Sequence, residues 1–174
     1  LDLKRIVQSN PNVSEVLTEA FAEAASVCFE EEGHRPGAIM RVTLTVSATR
    51  EEAVEVDWSR PSERALRSWR DRRQCTEFAA LAVAFLVIRT FTRYTVIEQA
   101  DQGDGFDWWL GTDDELFQRK ARLEVSGTRG GAPQARQRVV AKRKQTEVSD
   151  SSRLSAYVVV VEFKAPATVM ERRR

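Results

Sequence analysis

Eight residues, Ala156-Tyr157-Val158-Val159-Val160-Val161-Glu162-Phe163, constrain the architecture more than any other stretch. An apolar run of β-branched residues has no polar face, so as a strand it belongs in the middle of a sheet and is buried on both sides. Residues 75–88 supply a helix to match. Beyond Glu77 this segment is apolar nearly all round, a pattern that requires burial by neighbours. Strand and helix together point to an α/β domain. Its longest apolar run, residues 78–88, is too short to span a bilayer and lacks the flanks of a signal peptide, so no membrane association is expected. At 174 residues the chain can bury a real core as one domain.

The first 72 residues read as an N-terminal extension. Asn12 or Ser14 caps a helix that runs to about Glu32 and stops at Gly33, with apolar residues from Val13 to Cys28 at helical spacing. Residues 38–46 alternate as a strand, and residues 53–58 return as the hairpin partner. His34, the single histidine, falls in the turn between Gly33 and Gly37 and is expected in solvent, which leaves histidine-based catalysis almost no material. Cys28 and Cys75 both lie in helical sequence and suggest neither a disulfide framework nor a zinc site. A reduced, cytoplasmic setting is expected. After the break at Pro61 comes a basic stretch with Arg64, Arg67, Arg70, Arg72 and Arg73 around Trp69. Such a stretch can grip phosphates. With Glu63 and Asp71 interleaved it reads equally as a salt-bridged linker helix. The net charge of +1 carries no global signal for nucleic acid, so any such surface has to be a local patch.

Chemistry is concentrated in residues 103–127. Two short apolar segments there each deliver one carboxylate, Asp107 and Glu124, joined by a polar connection over residues 111–120 that suits neighbouring strands. Two acids on adjacent strands repel and lose solvation unless donors or a divalent cation compensate, and Mg²⁺ is held by one or two carboxylates with waters and substrate phosphates. Taken singly, Asp107 reads as a turn residue and Glu124 as an exposed strand position. Glu77 shares a helical stripe with Leu81, Phe85 and Ile88, where a buried acid would need a partner, and reads alternatively as an acid favoured by the helix dipole. Residues 94–99 form a further strand. Residues 134–148 are basic and helical, with Pro133 in the first turn and Arg138, Lys142 and Gln145 on one face. Residues 170–174 form a charged tail expected to fray.

The order helix, strand, strand, strand, helix, strand, with acids on the first helix and the second and third strands, resembles the PD-(D/E)xK superfamily, the restriction-endonuclease-like fold. The resemblance covers roughly residues 74–166 and is topological more than literal. It implies a restriction-endonuclease-like core (αβββαβ, a mixed central sheet flanked by helices) over residues 73–174, carrying an N-terminal helix and β-hairpin over residues 1–72. It further implies a divalent-metal-dependent nuclease, with Mg²⁺ or Mn²⁺ as cofactor and DNA, or else RNA, as substrate. Carried over position by position, Asp107 and Glu124 become the catalytic metal-binding acids, Glu77 an additional acid, and the Val125 carbonyl a further ligand.

The family's lysine, two residues after the Glu, is replaced here by Ser126, which can donate a hydrogen bond but brings no charge. Some branches move this lysine to the following helix, and there Lys142, beside Gln145, is the candidate, with Lys144 as the fallback on another face. Arg136 and Arg138, together with Arg64, Arg67 and Arg70, would track the phosphate backbone. A literal Glu-x-Lys also occurs at Glu162-Phe163-Lys164, but only ten residues follow it, too few for the remaining helix and strand, so Glu162 is expected to end the last strand. The alternative to a nuclease is an inactive nuclease-fold module that binds nucleic acid or protein. In either case the N-terminal part would serve a homo-oligomer or larger complex, with the tryptophans as possible anchors.

Overall fold

The computed structural model describes residues 1–113 and 118–173. Residues 114–117 of the expected polar connection, and Arg174 of the tail, lie outside the described residues. A 3-10 turn (Leu3–Arg5) and a single helical turn α1 (Ile6–Ser9) lead into α2 (Glu15–Glu31), which begins after Ser14 and stops at Gly33 with φ +82°. A hairpin follows, β1 (Ala38–Thr45) and β2 (Thr49–Val56), with Thr45 opposite Thr49. Its second strand therefore starts before residue 53, where the sequence reading began it. Of the added residues, Arg50 and Glu51 are exposed and Glu52 is half-buried on the outer strand of the sheet, where charged side chains are at home.

Ser62 accepts the Ala65 N–H and opens α3 (Glu63–Ser68), and Asp71 accepts the N–H groups of Arg73 and Gln74 to open α4 (Arg72–Phe91). Among the described residues α4 is the one helix long and apolar enough to cross a membrane, yet its flanks are occupied by protein. Phe21 of α2 meets Phe78 and Phe85 edge-on at 5.3 and 5.8 Å, and the Cys28 and Cys75 thiols lie 3.6 Å apart in the same interface.

The remaining elements are β3 (Thr95–Gln99), β4 (Trp108–Gly111), β5 (Ala121–Thr128), α5 (Ala132–Gln145), a 3-10 segment (Thr146–Ser152), β6 (Ser155–Glu162) and β7 (Ala167–Arg173). All seven strands join one mixed sheet in the order β2-β1-β7-β6-β5-β4-β3. Within it β3, β4 and β5 are antiparallel neighbours, β5 and β6 are parallel, and β7 lies antiparallel to β6 and parallel to β1. The chain is thus an α/β protein whose sheet is flanked by helices.

The valine run behaves as its composition requires. Tyr157, Val159 and Val161 of β6 face the core shared with α2 and α4, while Val158 and Val160 meet Ala135 and Val139 of α5. Two expectations are corrected here. Residues 170–173 are not a frayed tail but the end of β7, so β6 is not the last strand; Thr168 and Met170 are buried between β1 and β6, and Arg172 and Arg173 bond Ser155 and Asp150. His34 is not left to solvent, because its Nε2 lies 2.9 Å from the Phe163 carbonyl oxygen.

Candidate active site

Along β5 the side chains alternate between two environments. Leu123 and Val125 enter the core beneath α4, and Gly127 allows the closest approach there: a Cβ at this position would stand 2.5 Å from the Thr76 carbonyl oxygen and 2.9 Å from Ala80. The intervening residues, Arg122, Glu124, Ser126 and Thr128, are buried on the face covered by α5. Because α5 runs back along β5, three of its residues and Thr146 just past its end meet these four in reverse order. Thr128 donates to Gln134, Arg138 gives Nη1 to Ser126 Oγ at 2.9 Å, Lys142 bonds Glu124, and Arg122 Nη1 reaches the Thr146 carbonyl at 3.2 Å. The spacing matches because two strand residues advance about 6.7 Å and four helix residues about 6.0 Å.

Glu124 is fully buried, and its Oε1 accepts from Lys142 Nζ, which also bonds Gln145 Oε1 at 3.0 Å. Its other oxygen, Oε2, is buried with no hydrogen-bond partner among the described residues. Burial first, and then the charge of Asp107, raise the Glu124 carboxyl to about 7 against the pull of Lys142. Asp107 stands immediately before β4, where the ladder with β5 gives out, and its Oδ2 accepts the Val125 N–H at 2.7 Å. Burial raises its pKa most, the Glu77 charge adds to this, and the Val125 N–H and Lys142 oppose it. The two acids therefore share one neighbourhood at the end of the β4–β5 pairing.

Of the two readings of Glu77, the buried one is not met. Glu77 is exposed in the second turn of α4, bonded by Arg73 Nε at 3.1 Å, rather than buried on a stripe. A helix packed nearly all round offers no phase from which one acid's side could be read. Glu77 instead lines a cleft of about 620 Å³ where the N-terminal ends of α4 and α5 meet the end of β5. Arg72, Arg73, Arg129 and Arg138 line the same cleft, with Gln134. The structure does not bring Arg64, Arg67 and Arg70 there; they are exposed on or just after α3. Arg136 and Lys144 are exposed on other faces of α5, and Glu162 accepts the Gly131 N–H at 2.9 Å, which fixes the start of α5.

Three residues were not singled out from the sequence. Arg122 is buried at 1% exposure, and its guanidinium also bonds Ser149 Oγ and the Leu154 carbonyl, both at 2.6 Å, pinning the segment after α5. Arg129 ties Glu31, Thr76 and Cys28 together at the cleft wall. Gly105, at φ +78°, lets its loop lie against the Gln145 carbonyl, which a Cβ would approach to 2.9 Å. The period-two pattern of β5 does put Arg122 on the face of Glu124, and Gly105 belongs to the Gly103-Asp104-Gly105 segment that reads as the turn into the Asp107 strand; Arg129 carries no local signal.

Among the described residues no three His, Cys, Asp or Glu side chains gather into a metal cage. Two acids, one with a buried carboxylate oxygen lacking a donor, fit a hard cation of the Mg²⁺ type that completes its shell with carbonyl oxygens, water and substrate. Comparison with known protein families, curated proteins and solved structures gives no significant match to this chain.

Proposed function

We propose that the chain is a divalent-metal-dependent phosphodiesterase acting on nucleic acid, DNA in the first instance, and that α4 through β6 form a restriction-endonuclease-like core. The order of elements and the strand directions from β3 to β6 support the fold assignment. The observation that carries the function is the donorless, buried Oε2 of Glu124 beside Asp107. A buried anionic oxygen without a partner is costly, and a cation relieves that cost.

Asp107 and Glu124, with the Val125 carbonyl, would hold Mg²⁺ or Mn²⁺. The ion would supply Lewis acidity toward a phosphoryl oxygen and activate the attacking water. The Val125 N–H orients Asp107, and Lys142 with Gln145 holds the orientation and charge of Glu124. Glu77 faces the site from α4, where it could bind a second ion or its waters. The cleft lining has four arginines and no aromatic side chain, a composition that grips phosphates rather than stacks bases.

A second reading, a binding module without catalysis, draws on Ser126 at the position of the motif lysine and on Lys142 already neutralising Glu124. The two readings separate on a panel of labelled DNA and RNA substrates incubated with Mg²⁺ or Mn²⁺. Cleavage by the wild-type chain that disappears in Asp107→Asn, a variant that keeps an acceptor for the Val125 N–H, supports the phosphodiesterase. Cleavage retained in that variant refutes the assignment of Asp107.

A further inference from the structure

Two cations descend from α5 onto β5, and they differ in what already occupies them. Lys142 is bonded to Glu124 and Gln145 and does not line the cleft. Arg138, one helical turn earlier, reaches Ser126 and opens on the cleft. The other three cleft arginines are paired with carboxylates: Arg72 with Glu32 at 2.8 Å, Arg73 with Glu77 at 3.1 Å, and Arg129 with Glu31 at 2.5 Å. Among the described residues Arg138 alone of the four has no carboxylate within ion-pair distance. A guanidinium has five N–H donors in a planar fork, and the contact to the neutral Ser126 engages one of its nitrogens.

We propose that Arg138, rather than Lys142, is the cation that meets the phosphate undergoing cleavage, while Lys142 stays as the counter-ion of Glu124. The inference rests on the phosphodiesterase reading above. Ser126 is then the seat of the guanidinium. Its hydroxyl accepts from Arg138, where a lysine at that position would place a second positive charge against both Arg138 and Lys142. It lies two residues from Glu124 on the same face of β5, so the cation stands one side-chain row from the acid pair. The planar fork can take two oxygens of one phosphate, whereas the Lys142 ammonium is already shared between a carboxylate and an amide.

The test uses the full chain and fluorescein-labelled single- and double-stranded DNA and RNA oligonucleotides, in two arms. Binding is titrated in EDTA across salt concentrations, and single-turnover cleavage is followed with Mg²⁺ or Mn²⁺. Arg138→Ala and Arg138→Gln should each weaken binding roughly tenfold and lower the salt slope by about one. They should also slow cleavage by about a hundredfold or more, as expected for loss of a transition-state donor. Arg138→Lys should recover part of both. Lys142→Ala should weaken oligonucleotide affinity in EDTA less than Arg138→Ala does, because its charge is held by Glu124 rather than offered to a phosphate. Melting temperatures of the variants separate these effects from misfolding.

Arg138 variants that bind as tightly as the wild type overturn the proposal, as does a Lys142→Ala variant that carries the loss of affinity. Cleavage that requires Asp107 but ignores Arg138 keeps the phosphodiesterase and discards this inference. Binding that depends on Arg138, with no cleavage under either metal, discards the phosphodiesterase and keeps the phosphate contact.

Discussion

The two faces of β5 are equally buried and chemically opposite. Ala121, Leu123, Val125 and Gly127 pack under α4 as ordinary core, while Arg122, Glu124, Ser126 and Thr128 lie under α5 as four polar contacts. Apolar packing on the first face stabilises the fold by excluding water. The second face loses most of what it gains to desolvation, since buried charges are rarely worth more than well-packed hydrophobic groups. One strand thus divides into a side that holds the fold together and a side that holds chemistry.

Substitutions along this strand test the division. The largest expected effect is on the apolar side, where Leu123→Ala should destabilise by about 3 kcal/mol in urea or thermal unfolding, through lost burial and an unfilled cavity. On the polar side Arg122→Met should cost about 2 kcal/mol, because the Thr146 and Leu154 carbonyls lose their buried donor.

Glu124→Gln should act in the opposite direction. Folding raises the Glu124 carboxyl from 4.5 to about 7, so between these values the folded chain holds a proton that the unfolded chain releases. Stability therefore falls as pH rises through this window, and above it the wild type in EDTA carries a penalty of about 3 kcal/mol, at 1.36 kcal/mol per pKa unit. Melting temperatures in EDTA from pH 5 to pH 8 should fall more for the wild type than for Glu124→Gln. Mg²⁺ should restore the wild type at the upper end and leave the variant unmoved. If Glu124→Gln proved as damaging as Leu123→Ala, the contrast between the faces would be lost. Ser126→Ala should be the mildest, within about 0.5 kcal/mol of wild type, with its effect in oligonucleotide binding instead.

The apolar side was the readable one. The valines of β6, the alternation along β5 and the all-round apolar α4 announce themselves by period and composition, and the spacing of Arg138, Lys142 and Gln145 places them on one face of α5. The rest depended on partners distant in sequence. His34 reaches the Phe163 carbonyl across most of the chain, and Arg122 and Arg129 look like surface residues until the groups that bury them are known. β7 was hidden by its charges, which read as a solvated end until Arg172 and Arg173 found Ser155 and Asp150. Glu77 stayed open between two readings because nothing in an all-round apolar helix marks where its buried arc begins.

The place of β7 bears on how the protein is made. Arg41 aligns with Ala167, so the hairpin of β1 and β2 reaches the rest of the sheet only across β7, the last of the seven strands in chain order. A nascent chain must hold that hairpin unsatisfied until β7 has emerged, so the sheet closes late and through contacts distant in sequence. Translation halted after β6 would leave β1 and β6 with bare backbone edges, each a template for pairing with another molecule.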